Sequence, residues 1–197
     1  MASSIYLWHY TRNCEDLQNI LKKGFLINEM KETFEYLNYR DPTGSSTKII
    51  KAVCFTNLSE EIDVKNHIDK YGLYAIGLTQ SWANKHKISP VAYLRKEGKL
   101  TEILKAEILK VPQLLNYCKQ YSDYESDWCN DDDKDKSINV LRRYDEREWR
   151  YIPDKESEKY LKFNLFGVYQ IIVPTKSDKC KIAESCKDYI SKIRVSE

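Results

Sequence analysis

The sequence has few residues of the kinds that bind metals or form cysteine-based sites. It contains three histidines and six cysteines in 197 residues. No two cysteines form a Cys-x-x-Cys pair and the histidines do not cluster with them, so the spacing argues against a structural zinc site. Paired disulfides are not expected in a cytoplasmic protein either. We interpret the thiols as buried or incidental: Cys14, Cys54, Cys118, Cys129, Cys180 and Cys186.

Two further absences restrict where the protein acts and what it binds. No apolar run approaches the ~20 residues of a membrane-spanning helix, and the opening MASSIYLWHYT lacks the basic and apolar regions of a secretory signal. We therefore expect a cytoplasmic protein with no membrane partner. The net charge is only +2 and no basic stripe is concentrated anywhere. A nucleic-acid-binding module is consequently the least favoured class of function.

The sequence also lacks internal repeats and a glycine-rich phosphate loop after its first strand-like segment. Its length of 197 residues and its 42% of hydrophobic residues fit one globular domain with a substantial core. We predict a single domain over residues 1–197. Within it, 28–47 and 124–137 are predicted to be loops or insertions, because the first is rich in turn-forming residues and the second is polar and acidic.

Hydrophobic patterning predicts an α+β architecture. The first helix is expected to begin after the N-cap Asn13 and to end at Gly24, and the last is expected to be capped by Ser177. The helices cluster in the first half of the chain between short strands, without a regular βαβ alternation. The predicted strands lie at 5–11, 49–57, 73–79, 89–95, 144–151 and 168–174, and the predicted helices at 12–24, 59–72, 80–87, 99–121 and 177–193.

The segment DEREWR raises the main question about function. In a strand, Glu146 and Glu148 are two positions apart and point to the same side of the sheet. One interpretation is a solvated, charged strand face that pairs with Arg150 on the same side. The other is a site that requires two carboxylates. One would hold a sugar hydroxyl and stabilise an oxocarbenium-like centre, and the second would orient or deprotonate an acceptor.

Three other segments carry candidate polar or aromatic groups. His9 and Thr11 share one face of the first strand, where they either contact a ligand or bond to nearby backbone. Phe55 and Thr56 close a buried strand at the rim of the sheet, although core packing also explains Phe55. In HIDKYG, the histidine and the tyrosine are four residues apart and share a helix face. A surface histidine packed on a tyrosine is the ordinary interpretation of that pair.

The blocks LWHYT, NILKKGF, VCFTNL, YAIGLTQ, PVAYL, DEREWR and IIVP, taken in this order, resemble the AbiGi family of abortive phage infection proteins. The likeness spans about residues 5–175 and depends on the order of the blocks. The family is described as the antitoxin side of a bacterial phage-resistance system. The resemblance therefore implies a phage-defence protein with a cognate toxin as its partner.

The same blocks resemble, more distantly, the ADP-ribosyltransferase-like fold of the DarT type. This resemblance implies mixed or antiparallel split sheets with helices packed around them, and NAD as a substrate without a metal. It also implies that His9 holds the nicotinamide-side ribose, with Thr11 beside it. In the second block, it implies that Phe55 stacks on nicotinamide or that Thr56 bonds near it.

The late strand completes the set of residues that the resemblance implies. Glu148 takes the place of the catalytic glutamate, and Glu146 is the member of Glu-x-Glu that addresses a protein or nucleic-acid acceptor. The middle block departs from the family pattern, since it has no Ser-Thr-Ser, and Tyr71 is the candidate for the tyrosine missing from its customary position. Two hypotheses follow: a NAD-dependent ADP-ribosyltransferase in phage defence, or a non-catalytic antitoxin that neutralises a partner toxin.

Overall fold

The computed structural model describes residues 6–58, 67–121 and 146–196, and these residues form an α+β fold. The α+β prediction is confirmed, and the largest sheet is mixed. In chain order the described strands are β1 (Tyr6–Thr11), β2 (Phe25–Leu26), β3 (Asn28–Thr33), β4 (Thr47–Thr56), β5 (Tyr74–Thr79), β6 (Ser89–Pro90), β7 (Ala92–Leu94), β8 (Cys118–Gln120), β9 (Glu148–Tyr151), β10 (Tyr160–Leu161), β11 (Val168–Val173) and β12 (Ile193–Val195).

An eight-stranded sheet organises the fold. Its strands follow the order β12-β11-β5-β1-β4-β9-β6, and β3 pairs with β4 beside this path. Within this sheet β11 and β12 are parallel, whereas the other neighbours are antiparallel. Two short sheets, β10 with β2 and β7 with β8, complete the strand pairing of the described residues. This topology brings β1, β4 and β9, which are far apart in sequence, side by side.

The two central strands β1 and β4 are matched at a single position. Among the described residues, Trp8 opposite Thr56 is the one register pair between them. By contrast, β1 pairs with β5 along its whole length, from Tyr6 to Thr11. The strands β1 and β4 therefore separate beyond Trp8, and side chains can enter the gap between them.

Helix ends follow local sequence signals. The helix α1 (Cys14–Lys23) begins as predicted, because the side chain of Asn13 accepts a hydrogen bond from the backbone N–H of Asp16 at 2.8 Å. It ends at Gly24, whose φ of +90° favours glycine. The other described helices are α2 (Gln80–Lys85), α3 (Lys99–Ile108) and α4 (Lys176–Ser185), together with the helical residues 67–71.

The strand β4 separates two hydrophobic cores. Val53 and Phe55 belong to the larger core, which α1, α2 and α4 cover, while Ile50 and Ala52 belong to the smaller one. Phe34, Tyr36, Leu37, Leu94, Ile108, Leu115 and Cys118 complete the smaller core. Because side chains alternate along a strand, one ten-residue strand supplies both cores. The strand is thereby fixed from both faces where it borders the gap next to β1.

The structure corrects several predicted elements. Residues 28–47 are not a single loop, since β3 pairs with β4 over six residues and Phe34, Tyr36 and Leu37 enter the smaller core. The predicted strand 89–95 is divided between β6 and β7, which lie in different sheets. The predicted helix 99–121 ends at Ile108, and a 3-10 helix (Pro112–Tyr117) and β8 follow it. Thr175, not Ser177, caps α4. The predicted loop 124–137 lies outside the described residues.

The described helices are too short or too polar to cross a lipid bilayer. The cytoplasmic location stays a prediction.

Candidate functional site

A cavity of about 290 Å³ lies along the gap between β1 and β4. The strand β1 contributes 8–10 to its wall and β4 contributes 54–56. Four other parts of the chain close it: β3, the helical residues 67–71, Lys119 of β8, and the segment with Glu146 and Glu148. The predicted site residues that line it are His9, Phe55, Thr56, Tyr71, Glu146 and Glu148. Six of the seven predicted positions therefore meet in one cavity.

The two glutamates do not share a strand, in contrast to the prediction. β9 begins at Glu148, whereas Glu146 lies in a turn before it. Between them Arg147 has a φ of +41°, in the left-handed region, which interrupts the extended backbone. The hydroxyl of Thr56 donates to the carbonyl of Glu146 and fixes this turn against the end of β4. The alternation argument for a common strand face was therefore wrong.

Both carboxylates nevertheless converge on Lys119. The ammonium Nζ lies 2.6 Å from Oε2 of Glu146 and 2.9 Å from Oε2 of Glu148. The two glutamates are 6% and 7% exposed. The alternative interpretation of a solvated strand face is therefore wrong, because both carboxylates are buried and pair with a largely buried ammonium group.

Glu148 is held at both carboxylate oxygens and at its backbone. Its Oε1 accepts hydrogen bonds from Nε–H of Arg150 at 2.6 Å and from the thiol of Cys54 at 3.0 Å. Its Oε2 accepts from Lys119, and its backbone N–H donates to the hydroxyl oxygen of Tyr93 at 2.9 Å. These contacts fix the orientation of the carboxylate toward the cavity.

Arg150 connects Glu148 to two other parts of the chain. Its side chain is fully buried. Nη2 donates to Oε1 of Glu32 in β3 at 2.6 Å, and Nη1 donates to the carbonyl of Asn116 at 3.0 Å. The predicted pairing of Arg150 with the glutamates is confirmed for Glu148. Since β3 was predicted to be a loop, the contribution of Glu32 was not foreseen.

Glu146 has a second set of partners on its other oxygen. Oε1 accepts a hydrogen bond from the hydroxyl of Tyr71 at 2.7 Å and from Nζ of Lys70 at 2.9 Å. Both donors come from the helical residues 67–71. The side chain of Lys70 is 41% exposed. Glu146 therefore lies between the buried ion cluster and the solvent-accessible edge of the site.

The cluster keeps both carboxylates ionised at neutral pH. Burial alone raises the pKa of Glu146, but the charge and hydrogen bond of Lys119, helped by Lys70 and Tyr71, lower it to about 2. Burial also acts to raise the pKa of Glu148, but the charges of Lys119 and Arg150 outweigh the effect of burial and lower the pKa. The same two carboxylates raise the pKa of Lys119 against the effect of burial. Each of the three charged groups therefore favours the ionised form of the others.

His9 spans the gap between β1 and β4. Its Nδ1 lies 2.8 Å from the carbonyl oxygen of Cys54. Because a carbonyl can only accept, Nδ1 carries the proton and Nε2 remains an acceptor. Burial lowers the pKa of His9, and the hydrogen bond to Cys54 offsets part of that effect. The imidazole is therefore neutral, and it is fixed at the wall of the cavity.

Phe55 and Thr56 have different surroundings at the end of β4. Phe55 is 2% exposed, and its ring packs against His9, Phe25 and Trp82. The core-packing interpretation of Phe55 is therefore correct, although the residue also lines the cavity. Thr56 is buried and its hydroxyl is committed to the Glu146 carbonyl. Its predicted role beside nicotinamide stays a prediction.

The helical residues 67–71 place a histidine and a tyrosine at the cavity. His67 and Tyr71 share a helix face as predicted, with ring centroids 4.3 Å apart. His67 is buried, so the expectation of a surface histidine was wrong. Burial lowers the pKa of His67 to about 4. The next residue, Gly72, has a φ of +109°, and a Cβ there would lie 2.4 Å from the carbonyl oxygen of Thr11, so glycine permits this close packing on β1.

Thr11 is the one predicted position that lies outside the cavity. It is near the end of β1, and its hydroxyl donates to Oδ2 of Asp16 at 3.2 Å. With His9 it lines a neighbouring depression of about 470 Å³. The two residues therefore share a face, as the strand periodicity predicts. His9 lines both recesses, whereas Thr11 borders only the one that does not hold the glutamates.

Three residues that hold Glu148 were not expected from the sequence: Cys54 and Lys119 contact its carboxylate, and Tyr93 contacts its backbone N–H. Cys54 was assigned an incidental role, Lys119 lies in a segment predicted to be helical, and Tyr93 lies in a predicted strand without a chemical signal. Their contacts with Glu148 depend on the way that β4, β8 and β7 meet. Nothing in the local patterns identifies them.

Across the three described ranges, no group of three or more histidine, cysteine, aspartate or glutamate side chains is arranged to hold a metal ion. The acidic cluster at the cavity is instead paired with Lys119 and Arg150.

The sequence profile of one family matches residues 23–171 of the chain. Its description reads "Putative abortive phage resistance protein AbiGi, antitoxin". The chain belongs to the AbiGi family. The match includes the cavity residues from β4 to β9 and excludes His9 of β1, which precedes it. A search of curated proteins finds no match to this AbiGi-family chain.

One solved structure is similar in three dimensions to this AbiGi-family protein. It is DarT from Thermus sp. 2.9, solved in complex with carba-NAD+. The identity is 12%, the TM-score is 0.41, and the alignment covers 99% of this chain and 95% of the DarT chain. At a TM-score below 0.5, the likeness supports no statement about shared activity, and the ADP-ribosyltransferase-like assignment stays a prediction.

Proposed function

We propose that this AbiGi-family protein acts in phage defence through a NAD-dependent ADP-ribosyltransferase site in the cavity between β1 and β4. The observation that supports the proposal is the convergence of His9, Phe55, Glu146 and Glu148 on one cavity. These residues come from β1, β4 and the start of β9, and each occupies a position that the sequence resemblance assigns to the site.

An acceptor and several aromatic side chains of the cavity wall support the proposal that the nicotinamide-ribose end of NAD binds there. The Nε2 acceptor of His9 suits a ribose hydroxyl, and the aromatic side chains of Trp8, Phe55 and Tyr71 provide the apolar wall that a planar ring needs. A volume of about 290 Å³ is at the lower end of the ~300–1,000 Å³ of ligand pockets. The enclosed space therefore suits one half of the dinucleotide, with the other half outside it.

The two carboxylates have separate roles in this proposal. Glu148 presents a fixed negative charge to the ribose, which is the arrangement that stabilises developing positive charge without reorganisation at the moment of reaction. Glu146, with a pKa of about 2, is a weak base. It orients the acceptor group through a hydrogen bond at the more accessible edge of the site, where Lys70 and Tyr71 also lie.

NAD supplies an ADP-ribosyl group whose bond to nicotinamide breaks as the bond to an acceptor oxygen or nitrogen forms, with nicotinamide as leaving group and the acceptor proton released. The protein's contribution is positioning and charge. His9 and Glu148 hold the sugar, and the apolar wall limits the access of water to the reacting end.

Incubation of the purified protein with labelled NAD and cell extract tests the proposal, together with calorimetry of NAD binding. We expect label on a macromolecular acceptor and release of nicotinamide. Absence of label transfer, of nicotinamide release and of NAD binding would overturn the proposal.

A second candidate function, a non-catalytic antitoxin that binds a partner toxin, is favoured by one observation. Every oxygen of the two carboxylates already accepts a hydrogen bond from Lys119, Arg150, Lys70, Tyr71 or Cys54. A network satisfied in this way also suits a purely structural role. Glu148→Gln distinguishes the two functions in a phage-infection assay. Loss of protection by a folded variant favours chemistry, and unchanged protection favours toxin binding.

A further inference from the structure

The two oxygens of the Glu148 carboxylate are held in different ways. Oε1 accepts from Arg150 at 2.6 Å and from the Cys54 thiol at 3.0 Å. Arg150 is fully buried and is also bonded to Glu32 and Asn116, so its position is fixed by three elements. Oε2 accepts from Lys119. A ligand that reaches Glu148 without disturbing the core must therefore bind at Oε2.

Lys119 is held less rigidly than Arg150. It extends from the three-residue strand β8, and its ammonium divides its hydrogen bonds between two carboxylates. The contact with Glu146, at 2.6 Å, is shorter than the contact with Glu148, at 2.9 Å. A lysine side chain is flexible, and its ammonium can rotate among partners. It can leave Glu148 and keep its bond to Glu146.

We infer that Lys119 is a positioning residue that competes with the ligand for Oε2 of Glu148, so that it sets the affinity of the site for the ribose end of NAD. This inference rests on the proposed function. In the ligand-free protein the ammonium occupies the oxygen that a ribose hydroxyl needs. On binding, the hydroxyl takes its place at Oε2 and Lys119 stays with Glu146.

The inference predicts an order of affinities that a structural role cannot produce. Lys119→Met removes the competitor. We expect this variant to bind NAD more tightly, on the order of ten-fold, because the ligand no longer has to displace a hydrogen bond to a charged group. Lys119→Arg strengthens the competitor through a bidentate guanidinium, and we expect several-fold weaker binding. If Lys119 only supports the fold, the Lys119→Met variant binds NAD more weakly than wild type, and the Lys119→Arg variant binds it as wild type does.

Two further variants separate this effect from a general change of charge. Lys70→Met removes the other lysine on Glu146, and we expect it to bind NAD no more tightly than wild type, because Lys70 contacts Glu146 and not Glu148. Lys110→Met removes an exposed lysine that pairs with Glu107 in another part of the protein. Lys119→Gln is a polar substitute if the methionine variant does not fold.

The test is calorimetry of NAD binding to wild type and these variants, each checked by its thermal unfolding midpoint. NAD binding that weakens in the order Lys119→Met, wild type, Lys119→Arg supports the inference. Binding that is detected only for Lys119→Met supports it as well. If wild type binds NAD and the Lys119→Met and Lys119→Gln variants bind it no more tightly, the inference is overturned and the proposed function stands. If none of the proteins binds NAD, both are overturned.

Discussion

His9 and Glu148 hydrogen-bond to the same residue, Cys54. The imidazole Nδ1–H donates to the Cys54 carbonyl at 2.8 Å, and the Cys54 thiol donates to Oε1 of Glu148 at 3.0 Å. Cys54 lies in β4, on the edge that faces the gap next to β1. Its backbone therefore positions the histidine of one strand, and its side chain positions the carboxylate of another. The distance between the two candidate residues is fixed by a single residue of the sheet.

Substitution of His9 separates its role in the sheet from its role in the cavity. His9→Phe removes the donor to Cys54, and we expect a loss of about 1–3 kcal/mol in the free energy of unfolding because a buried carbonyl loses its partner. His9→Asn places an amide donor near the position of Nδ1, and we expect it to retain most of that stability. Both remove the Nε2 acceptor, and we expect both to weaken NAD binding.

Urea denaturation and calorimetry of the two His9 variants give the two quantities separately. Equal stability of His9→Phe and wild type would show that the bridge to Cys54 does not stabilise the fold. NAD binding by His9→Asn at wild-type strength would show that Nε2 does not contact the ligand.

Arg150 is the residue whose loss should destabilise the protein most. Arg150→Met leaves the buried carboxylate of Glu148 and the partly buried carboxylate of Glu32 without their shared guanidinium. Breaking a buried ion pair on one side costs about 3–5 kcal/mol. We expect a loss of that size in urea denaturation, whereas Arg194→Met, an exposed position on β12, should change stability by less than about 0.5 kcal/mol. Similar values for the two variants would contradict the account of the cluster.

Stability should decrease as the pH falls, in two steps. His67 has a pKa of about 4 when folded against 6.5 when unfolded, so the unfolded chain binds more protons between these values and stability is lost as pH falls from about 6.5 to 4. Glu146 has a pKa of about 2 in the folded protein against 4.5 in the unfolded chain. Its contribution to stability is therefore present above pH 4.5 and is lost as the pH falls toward 2. The pKa of His9 is also lowered in the folded protein, so His9, like His67, makes stability decrease as the pH falls.

Unfolding free energies measured at pH 7, 5.5 and 4.5 check the first step, and the His67→Phe variant identifies its source. We expect the unfolding free energy of the variant to decrease less between pH 7 and 4.5 than that of wild type. An identical pH dependence of the two proteins would contradict the assignment to His67. The charged and titratable groups that act on His67, apart from its burial, are Glu146, Lys70 and His9.

Local signals predicted the elements that have strong caps or apolar runs. Asn13 and Gly24 fixed α1, and the apolar runs of β4 and β5 were evident. The strand β3 was missed because its sequence NEMKET has no alternating apolar face, and its pairing with β4 provides the stabilisation instead. A strand of this kind depends on its neighbour, which local patterning does not show.

The candidate site was predicted in part and for a partly wrong reason. Glu146 and Glu148 were identified by strand alternation, yet Arg147 turns the backbone between them. They meet because Lys119 attracts both, and that contact joins residues 27 and 29 positions apart in sequence. Contacts between distant parts of the chain leave no local pattern, so neither Lys119 nor Cys54 is recognisable from the sequence as a partner of the glutamates.

The central claim is that Glu148 acts in the transfer of ADP-ribose from NAD, and the most direct test compares Glu148→Gln with wild type in the labelled-NAD assay. Glutamine keeps the size of the side chain and removes its charge. We expect label transfer to fall by about 10²–10³-fold, the range for loss of one preorganised electrostatic contact. The exposed Glu102→Gln serves as the matched control and should transfer label as wild type does. Label transfer by a folded Glu148→Gln at the wild-type rate would contradict the account.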